Sequence, residues 1–301
     1  MKTTFRDTEE FANMLKEELT RQLDSDIYSI FIDKMPKNNQ VKTGVCIRKE
    51  NFGAVVYAED ILKDLKENPR PVEMVAREVI QCVIQNLQCA APRALEHLLD
   101  WANVQDNIEF RLVNTDRNKE LLASCPHRDF FDLSLIYYIA LAGDGAARVG
   151  NAMMQHWGIT EEDLFIAGCK AMRINHPVGA RPMASVLQEI DPCFDSEPPE
   201  DAAPLYVLGE SSPGSFLSSA ILYSNAVEEL AMKHRTDIYI LPSSVHELLL
   251  LPANGEMDEM FLLQMVWSIN RTQVSEEDFL SDNIYVFHHE SGMFDIIRQP
   301  E

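Results

Sequence analysis

The segment LPSSVHELLLLP, at 241–252, places polar side chains between two apolar runs. Ser244, His246 and Glu247 are the residue types of a hydrolase in which histidine takes the serine proton and a carboxylate orients the histidine. Members of such a site normally come from separate segments, and the chain has no GxSxG motif to expose a serine. These three residues are the catalytic candidates, but the pattern favours a turn whose serine hydroxyls bond to the backbone.

A second polar cluster, CPHRDFFDL, contains residue types that ligate metal ions. His127 and Asp129 are the candidate ligands, and they would form a mononuclear site if they met His246 and Glu247 across the fold. The spacing matches no zinc or calcium motif, and the second histidine of HExxH is missing. The alternative, which the pattern favours, is that this cluster organises the entry to the next strand, with Arg128 paired to a carboxylate.

A glycine-rich stretch, AGDGAARVG, follows neither the GxGxxG nor the GxxxxGK[ST] spacing, and no lysine is placed to hold a phosphate. We interpret it as a turn. No cofactor is predicted.

The periodicity of apolar residues predicts the elements that position these clusters. In FRDTEEFANMLKEELTRQL, apolar side chains recur at helical spacing after the N-terminal signal Thr8. The turn PKNNQ separates two strands. Before residue 100 we predict a helix at 5–23, strands at 27–35, 41–49 and 54–57, and helices at 59–68 and 72–88.

The rest of the chain continues to alternate strands and helices. Between 100 and 190 we predict strands at 108–114 and 133–142, a partner strand near 149–154, and helices at 118–124 and from Thr160. Beyond 204 we predict strands at 205–209, 237–242 and 246–252, a strand or buried segment at 216–223, helices at 224–234 and 256–270, and a hairpin over 283–298.

This order of elements predicts an α+β fold with mainly antiparallel sheets, because the connections are too short for crossover helices. The segment DPCFDSEPPEDAAP, at 191–204, is rich in proline and acidic residues and reads as a linker. We therefore predict two α+β subdomains, 1–190 and 205–301.

The charge is strongly acidic and unevenly distributed. The formal net charge is −22, and 183–301 contains four basic and 21 acidic residues. Such a surface repels phosphate backbones and anionic lipid, so nucleic acid and membranes are excluded as expected partners. The acidic residues either keep the protein soluble or contact a protein partner with a basic surface.

The sequence predicts a cytoplasmic protein. No apolar run approaches the roughly 20 residues that span a bilayer, and MKTTFRDTEE is charged where a signal peptide is apolar. The six cysteines are scattered without a CxxC pair, as expected for thiols in a reducing compartment.

Several phrases are similar, in this order, to a known family: KNNQVKTGVCIRK, NTDRNKELLASCPHRDFFDLSLIYY, WGITEEDL, ILPSSVHELLLLP and NRTQVSEEDFLSDNIYVF. The chain resembles, over nearly its whole length, an uncharacterised domain-of-unknown-function family of anaerobic gut bacteria. The resemblance implies a bacterial cytoplasmic protein and carries no activity, ligand or catalytic residue.

Two hypotheses follow. The first is a non-enzymatic binding or accessory protein that contacts a protein partner through its acidic surface. The second is a hydrolase, or metal-dependent hydrolase, whose site forms where the HRD and SSVHE segments meet. The sequence predicts no oligomeric state.

Overall fold

The computed structural model describes residues 7–49, 52–89, 97–141, 145–191, 204–209, 216–242, 244–253 and 258–300. Contacts within the chain divide it into two units, Met1–Leu99 and Asp100–Glu301. Both units combine helices with antiparallel strands, so the predicted α+β class is confirmed.

The unit Met1–Leu99 packs helices on one face of a three-stranded sheet. Its elements are α1 (Thr8–Gln22), β1 (Ser29–Lys37), β2 (Gln40–Lys49), β3 (Phe52–Tyr57), α2 (Ala58–Glu67) and α3 (Val72–Cys89). The predicted apolar stripe of α1 is buried, with Phe11, Leu15 and Leu19 packed in one cluster with Val45 of β2. Alternate residues of the strands complete this core, as expected for a sheet with one covered face.

The unit Asp100–Glu301 contains two antiparallel sheets. The first has the order β4-β6-β5, with β7 also paired to β6, and the second has the order β13-β12-β10-β11-β9-β8. Their strands are β4 (Ile108–Asn114), β5 (His127–Phe130), β6 (Leu133–Ala140), β7 (Ala146–Arg148), β8 (Ala180–Pro182), β9 (Tyr206–Leu208), β10 (Ile238–Leu241), β11 (Leu248–Pro252), β12 (Ile284–His288) and β13 (Met293–Ile297).

The helices of this unit pack on these sheets or connect their strands. They are α4 (Trp101–Val104), α5 (Lys119–Ala123), α6 (Asn151–Trp157), α7 (Glu161–Asn175), α8 (Met183–Ile190), α9 (Ala220–Tyr223), α10 (Ala226–His234) and α11 (Glu259–Thr272), with 3₁₀ helices at Gln105–Asn107, Asp116–Asn118 and Leu217–Ser219.

Helix α7 packs closely on β4. Thr160 begins the helix with a capping box, in which its hydroxyl accepts from the Asp163 N–H at 3.2 Å. A Cβ on Gly168 would lie 2.1 Å from the ring of Phe110, which is 1% exposed and stacked on Phe165. The absence of a side chain at Gly168 therefore allows helix and strand to approach each other.

Most predicted elements are present, but the partner strand predicted near 149–154 is wrong. Residues Asn151–Trp157 form α6, which ends at Gly158 in the left-handed conformation with φ 67°, and the strand that follows β6 in the chain and pairs with it is β7, at Ala146–Arg148. The segment 216–223, left open as a strand or buried segment, is helical and largely buried. The short elements β5, β8 and α8 were not predicted.

The division of the chain differs from the predicted one. Contacts divide it between Leu99 and Asp100 rather than at 191–204, of which 192–203 lie outside the described residues. Strand β8, from the predicted first subdomain, pairs with β9 through Arg181 and Val207. Because one sheet contains strands from both sides of the predicted linker, 1–190 and 205–301 do not correspond to the units found here.

Within the described residues, no helix combines the length and apolarity needed to cross a membrane.

Candidate functional site

The predicted catalytic segment forms the turn between β10 and β11. The Ser244 hydroxyl accepts a hydrogen bond from the His246 backbone N–H at 3.1 Å, and the Ser244 N–H donates to the Glu247 carbonyl at 3.3 Å. Ser218 donates its hydroxyl to the Val245 carbonyl at 2.7 Å. These bonds hold a turn together. A catalytic role for Ser244 stays a prediction.

His246 has a carboxylate partner 32 positions further along the chain. The ring Nε2 lies 3.2 Å from Asp278 Oδ1, and the two side chains are 33% and 38% exposed. Asp278 is fixed by the Ser275 hydroxyl, which donates to Oδ2 at 2.7 Å, and by the Val245 N–H, which donates to its carbonyl at 3.0 Å. Asp278 thus orients the imidazole, which is one requirement of histidine base catalysis.

Glu247, the predicted acid of the site, lies beside Gly209. A Cβ built on Gly209 would come within 3.1 Å of the Glu247 Cβ, and Gly209 itself has a φ of 145°. The carboxylate that the structure places against His246 Nε2 is that of Asp278, which no local pattern in the sequence connects with His246.

The predicted metal ligands His127 and Asp129 lie two residues apart on β5 and therefore share a face. His127 Nδ1 lies 3.1 Å from the Cys125 carbonyl, and Asp129 accepts from the Ser134 hydroxyl at 3.1 Å. Within the described ranges, no group of three or more His, Cys, Asp or Glu side chains could hold a metal ion. A metal site at these residues stays a prediction.

Arg128, between them, has the carboxylate partners expected of a residue that organises the strand entry. Its guanidinium pairs with Glu161 at 2.8 Å and with Glu162, both in the first turn of α7. The same guanidinium lies 3.8 Å from the centre of the Phe165 ring. This face of β5 is therefore tied to α7.

Asp132 joins the β5–β6 hairpin to the start of β12. Its Oδ2 accepts from the Ser281 hydroxyl at 2.6 Å and from the Asn283 amide at 2.9 Å, while its Oδ1 accepts from the Tyr285 hydroxyl at 2.7 Å. Burial, and then the Asp132 carboxylate, raises the pKa of Tyr285 well above its usual value. These bonds satisfy polar groups in the interior, so Asp132 has a structural role.

Arg111, in β4, is stacked between two aromatic rings. Its guanidinium carbon lies 3.9 Å from the centre of the Tyr138 ring and 3.8 Å from that of Phe216. Both rings therefore lie in direct contact with the guanidinium. Phe216 also contacts His246, with ring centres 5.2 Å apart, and therefore links Arg111 to the His246–Asp278 pair.

The Arg111 charge has no carboxylate within ion-pair distance among the described residues, and its buried Nε has no hydrogen-bond partner. Burial lowers the pKa of the guanidinium, although Tyr138 and Glu109 act in the opposite direction. Glu109 lies instead 3.3 Å from His176 Nε2. Arg111 is therefore a cation held by rings rather than by acids.

Sequence reasoning missed this group because its members are distant in the chain. In IEFRLVN, the alternation places Arg111 on the face opposite Phe110 and Leu112, which is a signal for its direction but not for its burial. Phe216, whose ring covers Arg111, lies directly before a helical segment. The apolar run of this segment does not distinguish a buried helix from a buried strand, so the sequence does not predict where the Phe216 ring lies.

Comparison with known proteins identifies the family. No curated protein and no solved structure matches the chain. A family model described as a family of unknown function, DUF5688, matches residues 8–289, which is most of the chain. The chain therefore belongs to the DUF5688 family.

Proposed function

We propose that this chain is a non-enzymatic binding or accessory protein of the cytoplasm, and that its Asp100–Glu301 unit contacts a protein partner with a basic surface. The observation that carries the proposal is the charge of this unit. Residues 100–301 contain 12 basic and 32 acidic residues, a formal charge of −20 out of −22. Nucleic acid and anionic membranes would be repelled by the same field.

The basic residues of this unit neutralise only part of its negative charge. Counting only contacts between described residues, five of them form ion pairs inside the unit: Lys119, Arg128, Lys170, Arg181 and Arg271. The exposed acidic residues of its helices, loops and hairpin include Glu228, Glu229, Asp258, Glu259, Glu290 and Asp295. A partner with complementary charge would be attracted from a distance and oriented on approach.

Helix α11 supplies an apolar contact within this acidic unit. Met260, Phe261 and Trp267 are 45%, 63% and 48% exposed, and their spacing places them with Gln264 on one side of the helix. The opposite side is buried in a core cluster through residues such as Leu263. We call Met260, Phe261, Gln264 and Trp267 the α11 face. Exposed aromatic and methionine side chains are characteristic of protein-binding surfaces.

The test is affinity capture with the full chain from a bacterial lysate, at about 50 mM and about 500 mM salt, since screening weakens contacts between exposed charges. A partner is expected at low salt, lost at high salt and lost with Phe261→Ser. The matched control is Ile174→Ser, which changes a 68% exposed residue of α7. Capture that is the same for both variants, or no salt-sensitive capture by the wild type, contradicts the proposal.

A hydrolase remains the second candidate because Asp278 orients the His246 ring. Its predicted members are Ser244, His246 and Glu247, with His127 and Asp129 as metal ligands. The test is hydrolysis of a panel of activated esters with and without added zinc, comparing wild type with His246→Asn. Activity that depends on His246 favours an enzyme, whereas equal rates for both proteins count against it.

A further inference from the structure

We infer that Arg111 is the anchor of a binding site for a small oxyanion, a carboxylate or phosphate group, formed with Tyr138 and Phe216. This site lies outside the α11 face and is independent of the proposed function. The two rings, 3.9 and 3.8 Å from the guanidinium carbon, hold the guanidinium in place, and its terminal nitrogens are left for a ligand.

The geometry defines how an anion would bind. Nε is buried, so a ligand cannot use it, and the two terminal nitrogens make no hydrogen bond to the residues that the structure describes. Arg111 as a whole is partly exposed, so these nitrogens are the accessible donors. An end-on, bidentate pair of hydrogen bonds to two oxygens is the geometry that guanidinium groups prefer.

The internal packing does not explain the charge. Ring stacking attracts a cation but does not supply acceptors for its N–H groups, and the buried Nε–H of Arg111 has no acceptor within the described fold. Elsewhere in this unit, the partly buried guanidinium of Arg128 also stacks on a ring but pairs with two glutamates. Arg111 has the stacking but, among the residues that the structure describes, no carboxylate partner, which leaves its charge for a ligand.

The surroundings limit the ligand to a small anion. The unit has a formal charge of −20, so a polyanion would be repelled along most of its length. A single carboxylate or phosphate group can instead be bound by direct contact with Arg111. His246 contacts the Phe216 ring, with ring centres 5.2 Å apart, and is not needed for this interaction.

The test measures the melting temperature of the full chain in sodium phosphate, sodium acetate and sodium chloride at equal ionic strength. Phosphate also stabilises proteins non-specifically, so a matched variant is required. Arg117→Met is that control, because Arg117 is an exposed arginine 3.8 Å from the Phe279 ring centre. Arg111→Met removes the charge at nearly constant volume.

We expect phosphate, acetate or both to raise the melting temperature of wild type and Arg117→Met above its value in chloride, in a concentration-dependent way. This rise should disappear in Arg111→Met. A rise with one anion alone identifies the group that is bound. Equal rises in both methionine variants, or no rise above chloride in wild type, overturn the inference.

Arg111→Lys covers the case in which the methionine variant does not fold. It keeps the charge but loses the two-pronged donor, so calorimetric titration with the effective anion should give binding about tenfold weaker than wild type. Affinity equal to that of wild type overturns the inference.

Discussion

The Asp132 network permits a quantitative prediction about stability. Asp132 accepts hydrogen bonds from the side chains of Ser281, Asn283 and Tyr285 at 2.6, 2.9 and 2.7 Å. Ser281 and Tyr285 are 1% and 0% exposed, whereas Asn283 is partly exposed and can bond to water instead. Asp132→Ala therefore leaves two buried donors without an acceptor, at about 1–3 kcal/mol each. The free energy of unfolding should fall by about 4 kcal/mol.

Tyr285→Phe separates one bond from the rest. It removes the donor together with its need for an acceptor, so it should cost about 1.5–3 kcal/mol, the usual range for a bond to a charged group. Each of the two substitutions alone removes the bond between Asp132 and Tyr285. In the double variant Asp132→Ala/Tyr285→Phe the bond is lost only once, so the two losses of stability should not add. We expect a coupling energy of about 1–2 kcal/mol.

Tryptophan fluorescence during urea unfolding is a suitable assay. The three tryptophans, Trp101, Trp157 and Trp267, all lie in the unit Asp100–Glu301, so the signal reports on the unit that contains the network. Losses that add within about 0.3 kcal/mol would show that the bond between Asp132 and Tyr285 contributes nothing, and would refute the reasoning.

Two further predictions concern packing and pH. Gly168→Ala should destabilise the protein by about 3 kcal/mol, because the added Cβ would lie 2.1 Å from Phe110. The control is Gly179→Ala, whose Cβ would have no atom within 4 Å and which should change stability by less than about 0.5 kcal/mol. Equal urea midpoints for the two variants would contradict this prediction. Burial and Lys233 lower the pKa of His234, so below about pH 6.5 this residue binds more protons in the unfolded chain than in the folded one, and its contribution to stability should fall from pH 7.5 to 5.5. His234→Gln should show a smaller fall in its urea midpoint, and an unchanged pH dependence would refute this.

The sequence predicted elements best where one periodicity ran for several turns. The α1 stripe and the alternation of β2 each had one consistent interpretation, and the turn between β1 and β2 contained residues that favour reversal. Helix α6 was missed because it is seven residues long and its N-cap residue, Gly150, has no side chain to cap the helix. The run FLSSAILY was ambiguous because a buried helix and a buried strand both appear as continuous apolar sequence.

The site was less predictable than the fold. His246 and Asp278 are brought together by tertiary packing, with His246 Nε2 against Asp278 Oδ1. No local spacing in the sequence connects the two residues. Arg111 could be assigned a direction from strand alternation, but its lack of a carboxylate depends on Glu109 lying against His176 and on Phe216 covering it. Pairwise geometry of this kind is set by the completed fold.

The strand order also determines when each unit can be completed during synthesis on the ribosome. The three strands of the first unit are consecutive and lie within Ser29–Tyr57, so all of them have emerged early. In the six-stranded sheet, β10 needs β12 as a neighbour, and β12 needs β13, which ends at Ile297. The edge of β10 is open until β12 pairs with it, and the edge of β12 is open until β13 does, so either edge can pair with another nascent chain in the meantime. Translation speed over the last strands should therefore influence the yield of this unit.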